Sequence, residues 1–236
     1  SQAQFMASPL SPAPREGHLV YQGGCGSTRQ TVLGVAFGRA EDGTLLDEAW
    51  GVECGLDFPW RQCVWFQNDG AALEPRAWAA GGLDFDRHVI AFGGLTTTGL
   101  TNQVVYSDVC GSATMPEQWR QARVAGTSMP SPRQRHTLSA AVIPRTSDPQ
   151  AMFLYGGTGD PPGSMVMDDV WRLELRGIVT NIYEVAWTAV PTSGEEPEAR
   201  YDHVAVYDRT QNRLLIYGGR ANEDTVLDDL WELRLR

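Results

Sequence analysis

Lysine is absent from the chain, and all 19 basic residues are arginine. That excludes Schiff-base chemistry and a lysine general base, both of which need a primary amine. Positive charge is scarce altogether, because 29 acidic residues leave a net charge of -10. A phosphate-backbone partner selects a basic surface, so nucleic acid is not expected as a partner. No apolar run approaches the roughly 18 residues that cross a bilayer, and no membrane span is expected. The chain opens at Ser1 with no charged, apolar leader, so it reads as processed or as cut from something longer. Sequons of the Asn-x-Ser/Thr type are missing, which leaves secretion undecided. Cysteine is sparse: Cys25, Cys54, Cys63 and Cys110 show no Cys-x-x-Cys and no matched histidine pair, so a structural zinc site is not expected.

What is present is a packed core and a repeat. A hydrophobic content of 42% over 236 residues suffices for one or two domains. A Gly-Gly pair ends a short apolar run at Gly23-Gly24, Gly93-Gly94, Gly156-Gly157 and Gly218-Gly219, at intervals of roughly 60 to 70 residues. Four copies of one unit are thereby marked, and repeats settle architecture early. The last copy is clearest. It runs from Arg200 and His203 through Val-Ala-Val-Tyr207, then Arg213 to Gly219, then Asp228-Asp229-Leu-Trp231-Glu-Leu-Arg-Leu235. Short runs rich in Val, Leu, Tyr and Trp, separated by turn formers, predict an antiparallel meander. The third copy repeats it with Arg135-His136, Gly156-Gly157, Asp168-Asp169 and Trp171, and adds Trp187 on a fourth strand. Four strands in each of four units is propeller patterning.

These residues resemble the kelch repeat, whose pattern is Arg and His on the first strand, an apolar second strand ending in Gly-Gly, an Asp-rich entry to the third, and Trp on the fourth. The resemblance covers essentially the whole chain. It implies an all-β kelch-type propeller of four-stranded antiparallel blades, with blades at 1-75, 76-132, 133-198 and 199-236, the last without its fourth strand. Copy two is looser, with Arg76 and Trp78 where Arg and His would sit, and copy one departs furthest, with Phe5 and Ser8 there. Open blade faces and edges are unfavourable, so further blades from the same or another chain are expected to complete the ring.

Structural roles follow for the repeated residues. Gly-Gly allows positive φ and close backbone approach between blades, and Trp171, Trp187 and Trp231 supply buried area. Arg76, Arg135 and Arg200 are expected to bridge to carboxylates or carbonyls between blades. His18 and His88 open second strands, while His136 and His203 lie on first strands. Copy one has a long insertion at 25-45, and its apolar run from Val32 to Phe37 is a candidate contact loop. Arg29, Arg39, Arg87 and Arg220 lie in or beside loops and are candidate contacts, a role arginine favours. If Trp50 and Trp65 mark the third and fourth strands of copy one, Cys54 and Cys63 face each other across a hairpin. They form the disulfide candidate, and Cys25 and Cys110 stay unassigned. Such a clasp favours an oxidising compartment and an extracellular or cell-surface location.

No catalytic constellation stands out. A Gly-x-Ser-x-Gly elbow is missing, and Tyr106 with Cys110 does not match the arrangement of the copper radical oxidases resembling galactose oxidase. No cofactor and no metal are expected. The reading is a noncatalytic protein-interaction or assembly module. Its competitors are an intracellular kelch adaptor that recruits a protein partner and a propeller enzyme.

Overall fold

The computed structural model describes residues 11–21, 31–54, 63–68, 73–84, 88–108, 119–141, 150–179 and 182–235. All regular structure among them is strand. Blade 1 is the antiparallel meander β1 (Leu19–Tyr21), β2 (Thr31–Ala36), β3 (Ala49–Cys54) and β4 (Cys63–Asn68). Blade 2 contains β5 (Arg76–Ala77), β6 (Ala80–Leu83), β7 (His88–Phe92), β8 (Leu95–Thr96), β9 (Gly99–Leu100), β10 (Val104–Asp108) and β11 (Arg120–Gln121). Its sheet runs β6-β7-β10-β11, and β5-β8-β9 form a small separate sheet.

Next come β12 (Arg123–Ala125), β13 (Thr137–Ala141), β14 (Gln150–Tyr155), β15 (Val170–Val179) and β16 (Ile182–Ala189). Strands β13 to β16 make blade 3. The short β12 leaves blade 2 and adds in parallel to the outer edge of β16, where Arg123 Nε donates to Glu184 at 2.8 Å. Residues 123–125, expected within blade 2, therefore belong to the sheet of blade 3. Blade 4 is β17 (Val204–Asp208), β18 (Arg213–Arg220) and β19 (Val226–Arg234), three strands among the described residues.

The inner strands β1, β6, β13 and β17 stand side by side in that order, and the core lies in the seams between blades. Leu19, Ala36 and Phe37 of blade 1 pack with Val89, Val105 and Trp119 of blade 2. Ile90, Phe92 and Val104 meet Leu138, Met152 and Leu154 of blade 3, and Phe153, Tyr155 and Val170 meet Leu214 and Ile216 of blade 4. Each such large side chain, once fully buried, stabilises by about 1.5–3 kcal/mol.

Blade 1 corrects the expected register. His18-Leu-Val-Tyr leads into the first strand, not the second, and the second is Thr31–Ala36. The place of Gly-Gly is taken by Phe37-Gly38, with φ of 64° and 112°, against 69° and 99° at Gly93-Gly94 and 63° and 105° at Gly156-Gly157. A left-handed pair is required there, and a non-glycine at its first position costs about 1 kcal/mol or more. Phe37 offsets that cost by burial against Trp119, with ring centroids 4.6 Å apart. Of the insertion expected at 25-45, residues 31–36 are β2 and 37–45 the loop after it, residues 25–30 lie outside the described residues, and Phe37 is a core residue, 1% exposed. Gly23, Gly24, Phe5 and Ser8 lie outside the described residues.

Candidate functional site

An arginine stands three residues ahead of His18, Ala79, His136 and His203: Arg15, Arg76, Arg133 and Arg200. Every one reaches across its own blade at the hub. Its Nη1 donates to the carbonyl of the first residue of the left-handed pair at the far end of the second strand, Phe37 at 3.1 Å, Gly93 at 3.5 Å, Gly156 at 3.0 Å and Gly218 at 2.9 Å. The fork then meets a residue just ahead of the third strand or, in blade 4, within it. Arg133 grips Asp169 at 2.5 and 2.8 Å, and Arg200 grips Asp229 at 2.6 and 2.9 Å. Arg15 pairs with Glu48. Such bidentate pairs fix geometry as well as charge.

Blade 2 is the exception, because its partner is the neutral Gln103 at 3.3 Å. Arg76 is fully buried, its Nε has no partner, and burial pulls its pKa down to about 10. Elsewhere the carboxylates respond to the arginine. Hydrogen bonds from Arg200 hold Asp229 at about 2. At Asp169 burial pushes upward, but the bonds from Arg133 and Trp171 outweigh it and the pKa falls. The indoles of Trp171 and Trp231 donate to those same carboxylates at 2.7 and 2.5 Å.

These arginines form a buried collar inside each blade, not between blades, and Arg133 holds the place expected of Arg135. Sequence reading missed Arg15 and Arg133. The signal that finds them is Arg-x-x-His, present as Arg15…His18, Arg133…His136 and Arg200…His203. Between blades the staple is backbone. The N–H groups of Gly38, Gly94 and Gly157 donate to the carbonyls of Arg76, Arg133 and Arg200 of the following blade at 2.9, 2.8 and 2.9 Å. A carbon added at Gly156 would lie 2.5 Å from the Arg200 carbonyl, so only glycine fits there.

Two residues beyond each collar arginine the chain turns left-handed: Gly17 (φ 61°), Trp78 (55°), Arg135 (59°) and Asp202 (53°). Their backbones link blade to blade in a head-to-tail arc. Trp78 N–H donates to the Gly17 carbonyl at 2.7 Å, Arg135 N–H to Trp78 at 3.1 Å, and Asp202 N–H to Arg135 at 3.0 Å. The arc surrounds a cavity of about 260 Å³ lined by the two leading residues of each inner strand, Gly17 and His18, Trp78 and Ala79, Arg135 and His136, Asp202 and His203. This is the mouth of the hub.

The mouth carries charge and one large aromatic. Trp78 lies between two guanidinium groups, those of Arg39 and Arg135, each 4.6 Å from its ring centre. Arg135 also pairs with Asp202 at 2.7 Å, and Arg39 donates through Nε to Glu16 at 2.9 Å. Behind them sit two neutral imidazoles. Burial, aided by Arg133, lowers His136 to about 3, and burial with Arg200 lowers His203 to about 4. His136 meets Phe92 edge-on at 5.4 Å and His203 meets Tyr155 at 5.2 Å, so both rings serve the seams.

The remaining expected residues fall elsewhere. Trp187 is core, edge-on to Phe92. His88 opens β7 as expected and bonds Asp84 through Nδ1 at 2.8 Å. Arg220 is exposed and donates to the Glu223 carbonyl at 3.0 Å. Val32 lies on β2. Cys54 and Cys63 are register partners at the ends of β3 and β4, while Cys25, Cys110, Arg29 and Arg87 lie outside the described residues. Among the described residues no three of His, Cys, Asp and Glu converge.

No family model matches the chain. The chain is similar to the Rab9 effector protein with kelch motifs of Gallus gallus, at 30% identity over 226 residues, which covers 93% of this chain and 51% of that protein. It also matches the dynein regulatory complex subunit 7 of Chlamydomonas reinhardtii at 34% identity over 84 residues, or 36% of this chain and 7% of that protein. The chain thus spans about half or less of the length of these curated relatives. Among solved structures, the cryo-EM structure of RAG in complex with one melted and one unmelted RSS aligns at 17% identity and a TM-score of 0.44, covering 93% of this chain and 71% of that one.

Proposed function

We propose, from the premise that this chain is a kelch-repeat β-propeller protein, that it is a noncatalytic adaptor binding a protein partner at the mouth of its hub. One observation carries this reading. The four left-handed positions of the mouth share a backbone conformation, yet hold Gly17, Trp78, Arg135 and Asp202. A repeat built only for architecture would fill them alike, as it nearly does at the collar two residues earlier. Three of the four are not glycine and bear the strain of that conformation, which concentrates at binding sites. An aromatic and arginines over a concave opening are the composition of an interaction hot spot.

Two matched relatives are named an effector and a complex subunit. Both names describe proteins that work through other proteins, which supports the adaptor over the extracellular component that the cysteines first suggested. In this reading the adaptor acts inside the cell with its thiols reduced. Alkylation of the cysteines in lysate, followed by intact mass without reduction, tests that point: four alkyl adducts are expected, and a mass two adducts and two hydrogens short, with Cys54 and Cys63 joined and unalkylated, would return the protein to an oxidising compartment.

The main test is affinity capture from the native source with Trp78→Gly,Arg135→Gly beside the unaltered protein. Glycine keeps the backbone of the mouth, as Gly17 already does. A partner recovered with the unaltered protein and lost with the variant supports the mouth; equal recovery overturns it.

A further inference from the structure

The net charge of the chain belongs to one face. Four segments lead into the inner strands, residues 11–18, 73–79, 126–136 and 190–203, and four connect second strands to third strands, residues 37–48, 93–103, 156–169 and 218–229. Backbone contacts tie the two kinds together within each blade. The N–H groups of Glu16, Gln134 and Tyr201 donate to the carbonyls of Arg39, Thr158 and Arg220 at 3.0, 3.1 and 3.0 Å, and in blade 2 β5 pairs with β8. All eight therefore stand at the end of the propeller that holds the mouth. They contain 17 of the 29 acidic residues and only 7 of the 19 basic ones, while the rest of the chain is balanced at 12 of each.

Architecture accounts for part of this excess. Collar arginines cancel Glu48, Asp169 and Asp229, and Asp47, Asp168 and Asp228 recur one residue ahead of them. Arg39 and Arg135 are neutralised by Glu16 and Asp202. The largest remaining group holds no repeated position and belongs to blades 3 and 4: Asp160, Glu195, Glu196, Glu198, Glu223 and Asp224, all exposed. The loops of Asp160 and Glu223 meet there, because a carbon added at Gly163 would lie 3.7 Å from the Glu223 side chain. Charge that served solubility alone would be spread over the whole surface. Nor does it gather around an ion, since among the described residues no three of His, Cys, Asp and Glu converge. Dispersed carboxylates beside a concave opening steer and orient an extended cation.

The floor of the mouth gives a second, independent sign of a ligand. His136 and His203 line the cavity and are each 6% exposed, yet neither nitrogen of His136 and not Nδ1 of His203 meets a hydrogen-bond partner. A buried polar group left so costs about 1–3 kcal/mol, which a ligand that bonds it recovers. Burial keeps both rings neutral. A neutral imidazole can accept from an incoming N–H and does not repel a cation, as a charged one would.

We propose that the protein partner meets the mouth through a basic segment, rich in arginine or lysine, whose cations lie over the carboxylates of blades 3 and 4 while an N–H donor enters the cavity beside Trp78. This rests on the mouth as the contact surface and adds the chemistry of what it contacts. An acidic segment is repelled by the same face.

The test presents a displayed library of random peptides to the intact protein and measures the recovered sequences again as synthetic peptides. They are expected to carry an excess of Arg and Lys over Asp and Glu, and to lose affinity about tenfold or more between about 50 and 300 mM salt. Glu195→Gln,Glu196→Gln,Glu198→Gln is expected to slow association several-fold, with the Tm unchanged. Acidic or uncharged peptides, no peptide at all, or an affinity indifferent to salt and to these substitutions would overturn the basic segment. The variant Trp78→Gly,Arg135→Gly separates this from the reading beneath it. Basic peptides that bind the variant equally well would remove the mouth and with it the placement proposed here, whereas acidic peptides that the variant loses would keep the mouth and overturn only the charge of its partner.

Discussion

Two rings of residues circle the hub only two positions apart along the chain, and they have opposite characters. The collar repeats itself as Arg15, Arg76, Arg133 and Arg200, each bonding the same carbonyl position of its own blade. The mouth holds Gly17, Trp78, Arg135 and Asp202 on one shared backbone conformation. The collar is buried and its side chains close hydrogen bonds that nothing else can satisfy, so architecture dictates them. The mouth has its backbone bonds made by neighbouring blades, which frees its side chains to differ. A repeat protein can thereby keep its fold and vary its site in adjacent residues.

The sharpest way to break this comparison is to treat the collar as dispensable. Arg133→Ala leaves the Gly156 carbonyl without its side-chain donor and Asp169 with only the Trp171 indole, and because solvent reaches Asp169 a loss of about 2–3 kcal/mol is expected by denaturant unfolding. A loss below about 1 kcal/mol would contradict the collar's role.

A second effect comes from acid. His136 and His203 titrate near 3 and 4 when folded, against 6.5 when free. The unfolded chain therefore binds more protons between these values, so stability is full above about pH 6.5 and drains as the pH falls toward 4. Each imidazole contributes a slope of about 1 kcal/mol per pH unit within that window. Thermal unfolding at pH 7.5 and pH 5 checks it, and His136→Gln,His203→Gln should flatten the profile.

The collar's own weak member allows a gain. Arg76 lacks a carboxylate, and Gln103→Asp supplies the group that Asp169 and Asp229 provide elsewhere. Stabilisation of about 1–2 kcal/mol is expected, because a counter-charge then meets a guanidinium that is already desolvated.

The smallest change belongs to the mouth. Trp78→Gly removes the stacking of Arg39 and Arg135 but relieves a left-handed tryptophan, so stability should move by less than about 1 kcal/mol.

Much of the fold was legible because its strongest signals are local. Gly93-Gly94, Gly156-Gly157 and Gly218-Gly219 mark the left-handed pairs, and strand-sized runs of Val, Leu and aromatics lie between turn formers. Blade 1 misled because Gly23-Gly24 imitates a pair whose true member, Phe37-Gly38, is secured by tertiary packing on Trp119, and packing leaves no local mark. The site was less visible. Arg39 was named, yet its stacking on Trp78 joins residues of two blades and is a product of the hub. Trp78 was noticed only as a departure from a histidine that the structure places one residue later, at Ala79. The collar was recoverable from Arg-x-x-His spacing, and choosing Arg135 over Arg133 shows how two arginines two apart confuse a periodic reading.

The most direct measurement is the affinity of the captured partner for Trp78→Gly, taken beside the Tm of the same preparation. Assignment of the mouth as the contact surface predicts about a 30-fold or greater rise in Kd, the scale of a hot-spot residue, with the Tm within about 3 °C of the unaltered protein. An unchanged Kd at an unchanged Tm would contradict it.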